Sequence, residues 1–137
     1  KKIFDENKID YILRPHPMSL KKKEISVEKL KENKINFDIN SDLNFKNYSD
    51  LISDWSGIYV EYSIINKRLA LLINTKQKIR NIKSDNFSEV PLEVFARNIL
   101  GYSVEIENII QIKNFLEKSN MDNVNTITKF YNEYFFN

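Results

Sequence analysis

Hydrophobic and polar positions change period several times along this chain. Ile9 to Leu13 (Ile-Asp-Tyr-Ile-Leu) is a short apolar run stopped by Arg14-Pro15-His16-Pro17. Proline donates nothing to a ladder and pushes the residue before it away from helix, so a buried strand ending in a rigid, extended loop is predicted. Ser26 to Asn33 pairs a serine cap with helix formers and predicts a short helix. Ile35 to Ile39 alternates apolar with polar at the strand period, and Asp42 to Tyr48 reads as a turn and short helix. Leu51-Ile52 has the character of a buried strand's end, and it gives way abruptly to Ser53-Asp54-Trp55-Ser56-Gly57. Ile58, Val60, Tyr62, Ile64 and Ile65 then read as the first turns of a packed helix. Arg68 to Asn74 is nearly all apolar, as a strand covered on both faces of a parallel sheet would be. Pro91 to Gly101 predicts a helix with proline at its first position and glycine at its stop. Ser103 to Ile106 reads as a short strand, and Ile109–Lys118 and Asn123–Phe136 as amphipathic helices. Strands alternating with helices predict one α/β domain over residues 1–137 with a mostly parallel sheet.

Composition narrows the classes. With 137 residues, 42% hydrophobic and 29% charged, the chain is long enough for a real core and has the balance of a globular protein. A net charge of +2 is too small to argue for nucleic acid. Basic residues cluster only at Lys21-Lys22-Lys23, which reads either as a solvated turn or as a contact for phosphate or a membrane surface. The absence of cysteine excludes disulfides and thiolate metal sites, and a single histidine excludes a multi-histidine metal site. No apolar run approaches the ~18 residues of a membrane span, and the opening Lys-Lys-Ile-Phe-Asp-Glu is not a signal peptide. The expected compartment is the cytoplasm. Without an initiator methionine and opening near a strand, the sequence reads as an excised part of something longer. Thr75 to Val90 is polar and without period, at a length where a loop tends to be functional or mobile.

Candidate chemistry lies where strands end. Ligands of open parallel α/β sheets bind beyond the carboxyl ends of the strands. Both unusual loops, Arg14–Pro17 and Ser53–Gly57, directly follow expected strands. A strand, a tight polar turn and a helix make a phosphate-binding geometry, because the first helical turn presents free N–H groups and the positive end of the dipole. Ser56 is expected to cap that helix, and Gly57 to let a ligand approach the backbone closely. His16 and Arg14 supply an imidazole and a cation for a diphosphate, and Glu61, one turn into the helix, suits a ribose diol. The bland alternatives stand beside these: an ordinary βα loop with a good cap, and a structural histidine between prolines. The terminal helix carries five aromatics in residues 130–136 and reads as packing onto a core or as a surface for a missing domain.

Arg14-Pro15-His16-Pro17, then Leu51-Ile-Ser-Asp-Trp-Ser-Gly-Ile-Tyr-Val-Glu-Tyr62, then Lys67-Arg-Leu-Ala-Leu-Leu-Ile73, resembles the C-terminal half of CDP-glycerol glycerophosphotransferases, the teichoic-acid primases and polymerases. The likeness extends over residues 9 to 75. That family shows a Lys/Arg-Pro-His-Pro loop, a Leu-Ile-Thr-Asp-Tyr-Ser-Ser stretch leading to an acidic-aromatic pair, and a basic-Pro-Ile-Ile-Phe strand. This chain departs from it with Trp55 for Tyr, Gly57 for the second Ser, and Arg68-Leu69 for the basic-Pro step. Similar motifs occur in bacterial polysialyltransferases and Kdo transferases that use CMP-sugars.

The resemblance implies a Rossmann-like three-layer domain, the C-terminal half of a GT-B transferase, holding a CDP- or CMP-linked donor. Residue by residue, it implies His16 as the catalytic group at the donor phosphates, Ser56 and Gly57 as the pair whose backbone cradles them, and Glu61 at the ribose. Arg14 and Ser53 complete the expected phosphate-binding set. Glycerol phosphate or a sugar would pass to a cell-surface polymer such as teichoic acid or capsule, with no cofactor and no metal. The implied partners are the nucleotide-activated donor, an N-terminal α/β domain carrying the general base, and a polymer or lipid-linked acceptor. Peripheral contact with the inner face of the membrane in the full protein is implied as well. A non-catalytic α/β interaction module and a UDP-sugar epimerase-like GT-B half are the other readings.

Overall fold

The computed structural model describes residues 1–40, 42–76, 90–108, 110–118 and 123–136. They form two compact units, Lys1–Leu43 and Asn44–Asn137.

The first unit holds three short helices, α1 (Lys2–Glu6), α2 (Pro17–Lys21) and α3 (Val27–Glu32). The Ser26 cap is found as expected: its Oγ accepts from the Lys29 N–H at 3.3 Å. The two expected strands, 9–13 and 35–39, shrink to one parallel bridge between Leu13 and Phe37. Leu13 N–H donates to Asn36 O at 2.9 Å and Asp38 N–H to Leu13 O at 3.0 Å, and pairing stops there. Pro15 has no N–H to donate, so the pairing does not run on past Leu13. Ile12 and Leu13 are 42% and 37% exposed, so the run is not the buried strand its apolar character suggested.

The second unit begins with a 3-10 turn at Phe45–Asn47. It continues through β1 (Ile52–Ser53), α4 (Ile58–Asn66), β2 (Ala70–Asn74), α5 (Leu92–Phe95), α6 (Arg97–Leu100) and β3 (Gly101–Glu105). A 3-10 turn at Ile106–Asn108 precedes α7 (Gln111–Lys118) and α8 (Val124–Phe135). The sheet is parallel throughout and runs β1-β2-β3, with Ile52 opposite Leu71 and Ala70 opposite Gly101. The central strand is the most deeply covered: Ala70, Leu71 and Leu72 are all 0% exposed. Helices α4, α6 and α7 pack on the sheet, and α8 packs on α4 and α6 through buried Ile127 and Phe130. This is an α/β arrangement with an open parallel sheet, as the alternating pattern predicts.

The helix expected from Pro91 to Gly101 is instead two short turns, and β3 starts earlier than expected, at Gly101 itself. Gly101 is extended, with φ −136° and ψ 154°, so no left-handed stop requires a glycine here. Proximity does. A Cβ on Gly101 would lie 2.7 Å from Leu72 Cγ and 3.0 Å from the Arg97 carbonyl oxygen. Leu72 is fully buried and has nowhere to retreat. Gly101→Ala is therefore expected to lower stability by about 1–3 kcal/mol, read as a lower midpoint in urea unfolding.

Candidate functional site

The carboxyl edge of the sheet gathers most of the polar chemistry of the second unit. β1 ends at Ser53, and residues 54–57 lead straight into α4. Asp54 Oδ1 accepts from the Ser56 N–H at 3.3 Å, an Asx turn that fixes the bend. The first bond closing onto the helix runs from Val60 N–H to Gly57 O at 3.0 Å, so the amides of Gly57, Ile58 and Tyr59 open the helix.

Arg97 organises this edge. Its side chain enters from α6 and the residue is only 4% exposed. Nη1 donates to Asp54 O at 2.6 Å and Nη2 to Asn74 Oδ1 at 2.8 Å. The guanidinium also lies 4.1 Å from the centroid of the Trp55 ring, within cation–π range. Trp55 Nε1 donates to Thr75 O at 2.6 Å, and Asn74 Nδ2 donates to Glu105 Oε1 at 2.6 Å. One arginine thus ties the end of β1 to the end of β2, and through Asn74 to the end of β3. Burial pulls its pKa below the ordinary value, while Tyr59 and Asp54 act in the opposite sense.

The expected site residues are distributed over both units. Ser53, Ser56, Gly57 and Glu61 lie along β1, the loop and α4 of the second unit. Ser56 does not cap α4. The cap position is Gly57, already helical at φ −68° and ψ −6°, with no side-chain cap bond. Gly57 is not sterically demanded either, since a Cβ there would meet only Glu93 Cβ at 3.7 Å. Glu61 is exposed on the first turn of α4.

In the first unit His16 is exposed and caps α2, its Nδ1 accepting from the Met18 N–H at 3.1 Å. With Nδ1 as the acceptor, the ring proton sits on Nε2, a neutral donor. Arg14 Nη1 donates to Asp38 Oδ2 at 2.9 Å and to Asp42 O at 3.2 Å, and Nη2 donates to Asn40 O. Its guanidinium is thus engaged by Asp38, Asn40 and Asp42.

The chain matches no protein-family model, no curated protein and no solved structure.

Among the described residues, no group of three or more His, Asp or Glu is arranged to hold a metal ion, and no helix is long and apolar enough to cross a membrane. The expected functional loop, Thr75 to Val90, lies outside the described residues over 77–89. Sequence reasoning passed over Arg97 and Asn74. The available signal was a charge inside the apolar segment Val94-Phe-Ala-Arg-Asn-Ile-Leu100 and an amide closing an apolar strand.

Beneath the loop, Tyr59 is fully buried and its hydroxyl donates to Glu93 O at 2.6 Å. Burial pushes its pKa up to about 12, opposed by Arg97 and reinforced by Glu93. The neutral phenol is favoured in the fold. Its stabilising effect is complete below the unfolded value of about 10 and is lost as pH rises to about 12. Alkaline unfolding is expected in that window, followed by phenolate absorbance, and Tyr59→Phe is expected to shift it upward.

Proposed function

We propose that this chain is the nucleotide-donor-binding domain of a transferase that moves glycerol phosphate, or a sugar, from a CDP- or CMP-linked donor to a cell-surface polymer. The observation that carries the reading is the path from β1 through loop 54–57 into α4 at the carboxyl edge of a parallel sheet. There the opening amides of α4 and its dipole favour the phosphates. The Rossmann-like GT-B assignment and the teichoic-acid or capsule product rest on the resemblance of the Arg-Pro-His-Pro and Ser-Asp-Trp-Ser-Gly motifs. In this reading Ser53, Ser56 and Gly57 contact the phosphates and Glu61 the ribose. The resemblance also assigns phosphate roles to His16 and Arg14 of the first unit, where the Asp38 carboxylate already pairs with Arg14. Phosphate neutralisation by dipoles and cations stabilises a leaving diphosphate.

A second reading, an interaction module, is favoured by the exposed aromatics Phe95, Tyr134, Phe135 and Phe136, which are 41%, 44%, 48% and 71% exposed.

Titration of isotope-labelled chain with CDP, CMP and UDP separates these readings. Saturable amide shifts at Trp55–Ile58 and at His16 with CDP or CMP, stronger than with UDP, are expected. Unmoved amides at millimolar CDP and CMP would sink the transferase reading. His16→Asn keeps a good helix cap while removing the imidazole, and is expected to weaken CDP about fivefold without altering the helix content.

A further inference from the structure

Arg97 is a buried cation. No carboxylate lies within ion-pairing distance of it among the described residues. Its two hydrogen-bond acceptors are a backbone carbonyl and a neutral amide. The Asp54 carboxylate, exposed and turned to the Ser56 amide, acts on it only across space. Burying an unpaired charge is costly, and a fold that retains one beside an opening helix has positive potential to offer an anion. The bond to Asp54 O has a second consequence. In a planar trans peptide the C=O and the next N–H point in opposite directions. Holding the Asp54 carbonyl on the guanidinium therefore turns the Trp55 N–H away from it, and a charge-assisted bond at one end of a peptide polarises the other.

We propose that Arg97 is the positioning residue and the built-in counter-charge for the donor phosphates. It acts through the Asp54–Trp55 peptide and its own field, while the Trp55 ring stacks on it and fixes its plane. Asn74 sets the strength of the effect: it satisfies the guanidinium as a neutral acceptor, leaving the positive charge available to a ligand. Glu105 holds Asn74 by accepting from its Nδ2. The inference rests on the donor-binding reading above and adds to it the source of the positive charge.

The test moves one negative charge without changing the net charge. In the double variant Asn74→Asp/Glu105→Gln, a near-isosteric carboxylate faces Arg97, and the new amide at 105 donates to it. The 137-residue chain, wild type and variant, is titrated with CDP, inorganic pyrophosphate and cytidine, followed at the amides of Trp55, Ser56 and Gly57. Urea unfolding is measured in parallel. The expected result is at least about a tenfold loss of CDP and pyrophosphate affinity, with cytidine binding and the unfolding midpoint unchanged or improved. As a second pair, Arg97→Lys is expected to bind pyrophosphate more tightly than Arg97→Met. CDP affinity within about twofold of wild type in the double variant would overturn the proposal. So would a parallel loss for CDP and cytidine, the mark of a merely structural arginine. Should wild type itself show no shift with CDP or pyrophosphate, the donor-binding reading falls and this inference falls with it.

Discussion

The second unit depends on a positive charge taken out of water. Arg97 is 4% exposed, and its desolvation costs several kcal/mol before any contact is made. That cost is offset locally by bonds to Asp54 O and Asn74 Oδ1 and by the Trp55 ring. These contacts lie on separate segments, so the guanidinium is satisfied only when the ends of β1 and β2 and the intervening loop are all in position. The interaction is therefore a condition on geometry more than a source of net stability. Its removal would leave the Asp54 carbonyl and the Asn74 amide short of a partner at one edge of a three-stranded sheet.

At the opposite end of α4 the same logic is carried out with two neutral side chains and one arginine. Tyr62 donates to Ser49 O at 2.6 Å, and Asn66 Nδ2 reaches Phe45 O at 3.0 Å and Tyr48 O at 3.1 Å. Arg68 Nη1 adds a bond to Ser49 O at 2.7 Å. Together they hold the segment entering β1, which as a two-residue strand has too few ladder bonds to fix its own direction. Ser63 Oγ, fully buried, donates to Leu100 O at 3.1 Å and joins α4 to the end of α6. The helix after the candidate loop is thus anchored at both ends. The loop inherits that rigidity, which a preorganised anion site requires.

How much of this could be read in advance divides along the range of the forces. Local signals held: the Ser26 cap, the apolar run of β2, and the core-facing stripe of α8 with Ile127 and Phe130 buried. Their causes lie within a few neighbours. Segments whose state depends on what covers them were misjudged. Ile9–Leu13 has the composition of a strand, but it pairs through a single bridge at Leu13, and Pro15 stops that pairing from running on. Gly101 reads as a helix stop in the sequence, whereas its missing Cβ is required by the approach of Leu72 across the sheet and of the Arg97 carbonyl oxygen. Helix ends were hidden for a related reason. Lys8, Lys23, Lys34 and Lys67 adopt the left-handed conformation that glycine usually supplies, so the sequence carried no glycine to mark those stops. Arg97 belongs to this second class, since nothing in its own neighbourhood announces partners at 54 and 74.

The candidate site also carries its own competitor. Asp54 Oδ1 already accepts the Ser56 N–H, and the start of α5 brings Glu93 against Gly57. Carboxylates near the amino end of α4 are favourable to its dipole when no ligand is present. A phosphate entering the turn gains those amides and the field of Arg97, but must compete with the Asp54 carboxylate and tolerate the charge of Glu93. The net gain is the difference between the two anions, not the full strength of the amide cluster. In the donor-binding reading, a loop built this way would bind nucleotide weakly by itself and gain discrimination from what the rest of the donor touches. On that account the phosphate subsite and the groups that recognise base and transferred moiety must act together for tight binding.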